Sequence, residues 1–205
     1  VIAKDALAFI VNNNNVDSLI RITDLKQMFL GGVTNWNQIS KKNNAGKIQI
    51  VFDNNKSTNA RYMLEKLRMT EFSSNCYSAN SNEEVINHVE KNKNAIGIIS
   101  VNWISENNDS ISNNFLKRIT VVGLTSELNP EGLQYYRPYA AYIKDESYPF
   151  IRDVYMISRE TFAGLGSGFT SFIAGEKGQR VVLKAGLVPA TMPVRVVEMK
   201  TKQIF

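Results

Sequence analysis

A chain of 205 residues with 43% hydrophobic side chains can bury a core of one large domain or two small ones. One cysteine, Cys76, and one histidine, His88, exclude an intramolecular disulfide and a cysteine-based zinc site. The formal charge of +5 is spread along the chain without a basic run, which argues against nucleic-acid binding, and no apolar stretch reaches the length of a membrane span.

The opening residues VIAKDALAFIVN carry Lys4 and Asp5 within an apolar stretch, so they do not form a signal peptide. Ala6–Val11 reads as a strand buried on both faces and ends at the Asn12–Asn15 cluster, since asparagine tolerates turn conformations. Thr23–Leu30 reads as a short helix with a threonine start, an apolar face of Leu25, Met28 and Phe29, and a Gly31-Gly32 stop. Ile48–Phe52 is the next strand, and Ala60, Met63, Leu64 and Leu67 recur at helical spacing after it. Asn82–Glu90 is a third helix with acids in its first turn, and His88 lies at the edge of its apolar face as a surface or half-buried residue. Ala95–Ser100 follows as a buried strand.

Asn107–Asn114 reads as a polar loop, Ile119–Val122 as a strand and Glu127–Arg137 as an irregular connection. Tyr135, Tyr136, Tyr139, Tyr142, Tyr148, Phe150 and Tyr155 concentrate the aromatics, read as packing where two lobes meet, and Arg152–Ser158 is a strand. Ser171–Ala174 and Gln179–Lys184 form a helical pair broken near Gly175 and Gly178 and closed by Gly186. Strands alternating with helices argue for an α/β protein with a mostly parallel sheet.

Catalytic chemistry finds little support. The lone histidine and lone cysteine make a poor nucleophile–base pair, and Ser167 in Gly164–Gly168 lacks the G-x-S-x-G spacing of a nucleophile elbow. No phosphate-binding P-loop and no metal-ligand spacing of acids occurs. The loop between the second strand and its helix, Asp53-Asn54-Asn55-Lys56-Ser57-Thr58, has two readings. Ser57 or Thr58 is an ordinary N-cap, or the free amides of the first turn hold an anion with help from their hydroxyls and from the charges of Lys56 and Arg61. Asp53 suits a protonated oxyanion, whose proton a carboxylate can accept.

The segments DALAFIVNN, LKQMFLGGVTNWNQI, VFDNNKSTNARYMLEKL, NAIGIIS, YPFIRDVYMIS and SFIAGEKGQRVVLKAGLVPA, in this order, resemble the phosphate-type substrate-binding proteins of bacterial ABC importers over nearly the whole chain. The resemblance implies a type II periplasmic-binding-protein-like α/β fold, two lobes joined by crossover strands. Residues 10–149 would be one complete lobe, and 1–9 with 150–205 the crossovers and the C-terminal part of the other. On this view that second lobe is incomplete at its N-terminal side, and a signal segment would precede Val1. The implied protein is a non-enzymatic, cofactor-free, monomeric receptor, periplasmic or lipid-anchored, that hands phosphate or a similar small oxyanion to a membrane permease.

At the binding loop the family pattern Arg-x-Asp-Gly-Ser-Gly-Thr meets Phe52, Asn54, Lys56 and Ser57 at its arginine, aspartate, serine and second glycine. Thr58 alone matches, with Asp53 one position away. The expected ligand residues are therefore Asp53, Asn54, Lys56, Ser57, Thr58 and Arg61, with Arg152 of the second crossover either a further cation or half of an interlobe salt bridge. A sensory or protein-interaction module and the effector domain of a transcription regulator are alternatives on the same fold.

Overall fold

The apolar run at the start of the chain is the middle of strand β1 (Ala3–Asn12), buried at every position except the half-buried Lys4. The structure, a computed structural model, describes residues 1–54, 56–105 and 110–192. β1 is shared by two sets of neighbours. Its first half lies antiparallel to β9 (Ile151–Val154) and to β10 (Val188–Pro189), with Asp5 opposite Arg152 and Lys4 opposite Val188. Its second half lies antiparallel to β5 (Ala95–Ser100) and β6 (Ile119–Val121), with Leu7 opposite Ser100. One strand thus passes from one sheet region into the other, and β9 accompanies it through the first.

Beyond β5 the sheet continues with β3 (Gln49–Phe52) and β4 (Cys76–Ser78), all parallel. A small separate sheet joins β2 (Leu19–Ile20) in parallel to β7 (Gly123–Thr125), and β8 (Tyr135–Tyr136) in antiparallel. The sheet is therefore mixed, not mostly parallel as expected. Alternation of strand and helix builds only the β3-to-β5 part; β1 meets each of its own partners head to tail, which no sequence alternation announces.

Helix α2 (Thr58–Leu67) crosses from β3 to β4, and α3 (Asn82–Lys91) from β4 to β5. Ser81 caps α3 by accepting the Glu84 amide at 3.2 Å, and Val85, Ile86 and Val89 form its buried face. Gly97 of β5 lets this face close on the sheet: a Cβ there would stand 2.7 Å from Val85 Cγ1 and 2.9 Å from Ile10 Cγ1.

Helix α1 (Ile22–Leu30) buries Leu25, Met28 and Phe29 as expected and ends at Gly31, whose φ of 80° satisfies a left-handed cap. Its start differs from the expected threonine. Arg21 is the N-cap without a side-chain bond, and the Ile22 amide donates to Thr125 Oγ1 at 3.0 Å, so a residue distant in sequence supplies the cap. Thr23 instead donates to Glu131.

The polar stretch read as a loop, Asn107–Asn114, overlaps the first half of α4 (Ser110–Arg118), which buries Phe115; residues 106–109 lie outside the described residues. Tyr142, Tyr148 and Phe150 of the aromatic segment pack, whereas Tyr139 and Tyr155 are exposed. Phe150 meets Phe9 edge-on at 4.8 Å, Tyr148 donates to the Leu7 carbonyl at 2.7 Å, and Tyr142, in α5 (Ala140–Lys144), meets Tyr136 at 5.1 Å.

β9 stops at Val154, short of Ser158. Helices α6 (Leu165–Ala174) and α7 (Glu176–Lys184) meet at Gly175, which ends one and starts the other. Gly178 does not break α7; it permits close approach, since a Cβ would lie 2.4 Å from Ile173 Cα. No residue of α6 is buried, although Leu165, Phe169 and Phe172 are apolar and exposed.

Candidate functional site

The parallel strands β3 and β5 end at Phe52 and Ser100, so their carboxyl ends share one edge of the sheet, and α2 begins at that edge. In open α/β sheets this is where ligands bind. The loop that joins β3 to α2 folds on its own side chains. Asp53 Oδ1 accepts the Asn54 amide at 3.0 Å, and Asn54 Oδ1 accepts the Lys56 amide at 2.8 Å. The Asn54 carbonyl accepts the Ser57 amide at 3.1 Å. These are the local bonds by which Asp and Asn stabilise turns.

Ser57 is the N-cap, in extended conformation, and its Oγ accepts the Ala60 amide at 3.1 Å. The cap reading of the loop is thus correct as far as Ser57 goes. Among the described residues no hydrogen bond is made by the amides of Thr58 and Asn59, and the Thr58 side chain is exposed. Asn59, which the sequence did not single out, is 4% exposed and donates through Nδ2 to Asp53 Oδ2 at 3.2 Å, holding the acid against the first turn.

Lys56 and Arg61 are exposed and have no acidic partner among the described residues. Asp53, Asn54, Lys56, Ser57 and Thr58 are therefore brought together around the first turn of α2, and Arg61 follows one turn later. The assembly offers backbone amides, two hydroxyls and positive charge beside the favourable end of a helix dipole, donors suited to an anion. It also offers one carboxylate.

Arg152 stands apart from this loop, on β9. Its Nε donates to Asp5 Oδ2 at 2.8 Å, its Nη2 lies 2.6 Å from the same oxygen, and Nη2 donates to Ser100 Oγ at 3.1 Å. Arg152 thus makes a salt bridge, but between the neighbouring strands β1 and β9. Asp5 is 7% exposed and also accepts the Ala6 amide at 2.7 Å. Asp5 and Ser100 were missed as site residues; the available signal was an acid inside an otherwise apolar strand. Between the two clusters Tyr62, one turn beyond Thr58, donates to the Ile151 carbonyl at 2.8 Å. Burial, and then the charge of Glu127, push its hydroxyl up to about 12 against the opposing charge of Arg152.

The other reactive groups are in structural positions. Cys76 is half-buried beside Ser73, and burial pushes its thiol up to about 11. His88 Nε2 lies 3.2 Å from Gln49 Oε1. Ser167 exchanges hydrogen bonds with the backbone of Gly164 at the start of α6, as a helix cap does. Among the described residues no three His, Cys, Asp or Glu side chains gather to hold a metal, and no helix is long and apolar enough to cross a membrane.

Comparison with solved structures returns the same architecture. An ABC-type phosphate transport receptor from Vibrio cholerae matches with a TM-score of 0.70 at 20% identity, over 93% of this chain and 71% of that one. PstS from Borrelia burgdorferi matches with a TM-score of 0.71 at 19% identity, over 92% and 70%. A candidate phosphate ABC transporter substrate-binding protein from Clostridium perfringens, solved with bound phosphate, matches with a TM-score of 0.68 at 22% identity, over 93% and 71%. A search of curated proteins returned no match. The model of one protein family, described as PBP superfamily domain, covers residues 1–177. With that match spanning most of its length and the fold agreeing, the chain belongs to the PBP superfamily domain family.

Proposed function

We propose that the protein is an extracytoplasmic solute receptor that binds phosphate or a similar small oxyanion and delivers it to the permease of an ABC importer. The observation that carries this reading is the first turn of α2. Its Thr58 and Asn59 amides have no partner among the described residues, and Thr58, Ser57, Lys56 and Arg61 surround them at the carboxyl edge of the sheet. The phosphate receptors with which the chain shares its fold support the choice of ligand.

In this reading Thr58 donates through its amide and hydroxyl, the Ser57 hydroxyl adds a donor, and Lys56 and Arg61 supply charge. Asn54 shapes the turn. Lysine holds an anion as a point charge on a flexible stem, without the two-pronged geometry of a guanidinium, so more of the binding falls to the fixed amides. Asp53 accepts a hydrogen bond from the O–H of hydrogen phosphate, a group that sulfate lacks, and thereby favours phosphate. Binding moves no bond, so the protein acts without catalysis or cofactor. Residues 10–149 form the lobe that carries this loop, and β1 and β9 connect it to the lobe built from 1–9 and 150–205. Closure of the lobes excludes water and strengthens each charge-assisted bond. The receptor acts as a monomer.

Isothermal calorimetry of the full-length protein tests the proposal. A micromolar or tighter affinity for phosphate, well above that for sulfate, is expected, and Thr58→Val should lower it sharply. No heat and no thermal shift with phosphate would overturn the reading, and indifference to Thr58→Val would point to a protein-interaction role.

A further inference from the structure

We infer that Arg152 is a second anion contact and that Asp5 and Ser100 are positioning residues that leave its Nη1 as the donor for a ligand. The inference rests on the oxyanion reading above and extends it from the loop to the crossover strands.

A guanidinium has five N–H donors in one plane. Three are spoken for: Nε and one N–H of Nη2 go to Asp5 Oδ2, and the other N–H of Nη2 goes to the Ser100 hydroxyl. Ser100 in turn directs its own hydrogen to Asp5, with Oδ2 at 3.2 Å. Asp5 Oδ1 holds the Ala6 amide. The carboxylate is thus occupied on both oxygens, and the guanidinium is fixed on two sides.

Nη1 is different. Among the described residues it is one of two buried side-chain polar atoms without a hydrogen-bond partner, the other being Asn82 Oδ1. A buried donor on a charged group that stays unpaired is costly, and an ordered water or an anion satisfies it.

Its place in the fold suggests which. Ser100 is the last residue of β5, at the sheet edge where α2 begins, and Tyr62 of α2 feels the charges of both Arg152 and Asp5 while bonding the neighbouring Ile151 carbonyl. The guanidinium therefore sits beside the helix whose first turn carries the anion loop. Two N–H groups on one positively charged nitrogen suit an oxyanion oxygen. Being on a strand and braced by two residues, they cost little ordering when the ligand arrives, unlike the exposed Lys56. The loop has no arginine of its own before Arg61, and Arg152 supplies the planar donor from the crossover instead.

Calorimetric phosphate titration of the full-length protein, Arg152→Lys, Ser100→Ala and the double variant tests this, with the melting temperature of each ligand-free protein recorded alongside. Arg152→Lys keeps the charge but removes Nη1, and should weaken phosphate binding about tenfold or more. Ser100→Ala should weaken it about three- to tenfold, and should add nothing in the Arg152→Lys background, because it acts through Arg152. A purely structural role for Ser100 predicts a lower melting temperature with unchanged affinity, and that result would overturn the inference. So would wild-type affinity in Arg152→Lys. If Arg152→Lys fails to fold, Ser100→Ala still decides. Wild-type protein that ignores phosphate would overturn the underlying reading as well; wild-type protein that binds while the variants match it would overturn this inference alone.

Discussion

The Tyr62 hydroxyl donates to the Ile151 carbonyl at 2.8 Å, tying the helix that presents Thr58 to the strand that presents Arg152. Removing the hydroxyl in Tyr62→Phe leaves the ring in place. The expected cost is about 1 kcal/mol of stability, the net value of one such bond, read from the denaturant midpoint at constant slope.

The same residue makes an alkaline prediction. Its hydroxyl ordinarily titrates at 10.0 and is pushed up to about 12 in the folded protein, chiefly by burial. The fully buried Tyr148 is raised too, for the same reason. Because the folded state holds these protons more tightly than the unfolded state, their contribution is complete below the unfolded value and is lost as pH rises from 10 toward 12. Stability should decline across that window, and Tyr62→Phe should decline less. Denaturant melts at stepped pH, with phenolate absorbance followed in parallel, check both.

Ser57→Ala should destabilise the protein by about 1 kcal/mol, since the Ala60 amide loses the oxygen that caps it. Ser57→Gly should cost only a few tenths of that, as glycine is itself tolerated at an N-cap. Both variants lose the cap bond, so unchanged stability in Ser57→Ala would show that this bond is not what Ser57 contributes.

Gly97→Ala is expected to cost roughly 1–3 kcal/mol by overpacking. The added methyl would press on Val85, Val89 and Ile10 at once, and these belong to a helix and a strand held in the core. Thermal melting measures it, and a neutral result would mean that α3 can shift away from β5 at little expense.

The elements whose signals are local are legible in the sequence. The buried runs of β1, β3 and β5, the amphipathic faces of α1, α2 and α3, and the cap at Ser57 all follow from spacing and side-chain chemistry within a few residues. What escaped was non-local. The start of α1 depends on Thr125, a hundred positions away, so Thr23 misled. Helix α4 hides in a Ser- and Asn-rich stretch whose propensity favours turns, and the burial of Phe115 prevails over it. The pairing of β1 with β9 cannot be read from either strand, and with it went the partners of Arg152. At the candidate site the loop was found because its donors are consecutive in sequence. Asp5, Ser100 and Tyr62 were not, because only folding brings them near.

Among the described residues strand β1 meets four other strands, each later in the chain: β5, β6, β9 and finally β10 at Val188. Until those later segments are synthesised, these four pairings of its apolar run cannot form. Folding must therefore wait on distant sequence and proceed slowly, as in other chains dominated by long-range pairing. During that interval the exposed strand is a template for wrong partners, so its four pairings favour folding after these segments are complete over piecemeal folding as the chain emerges.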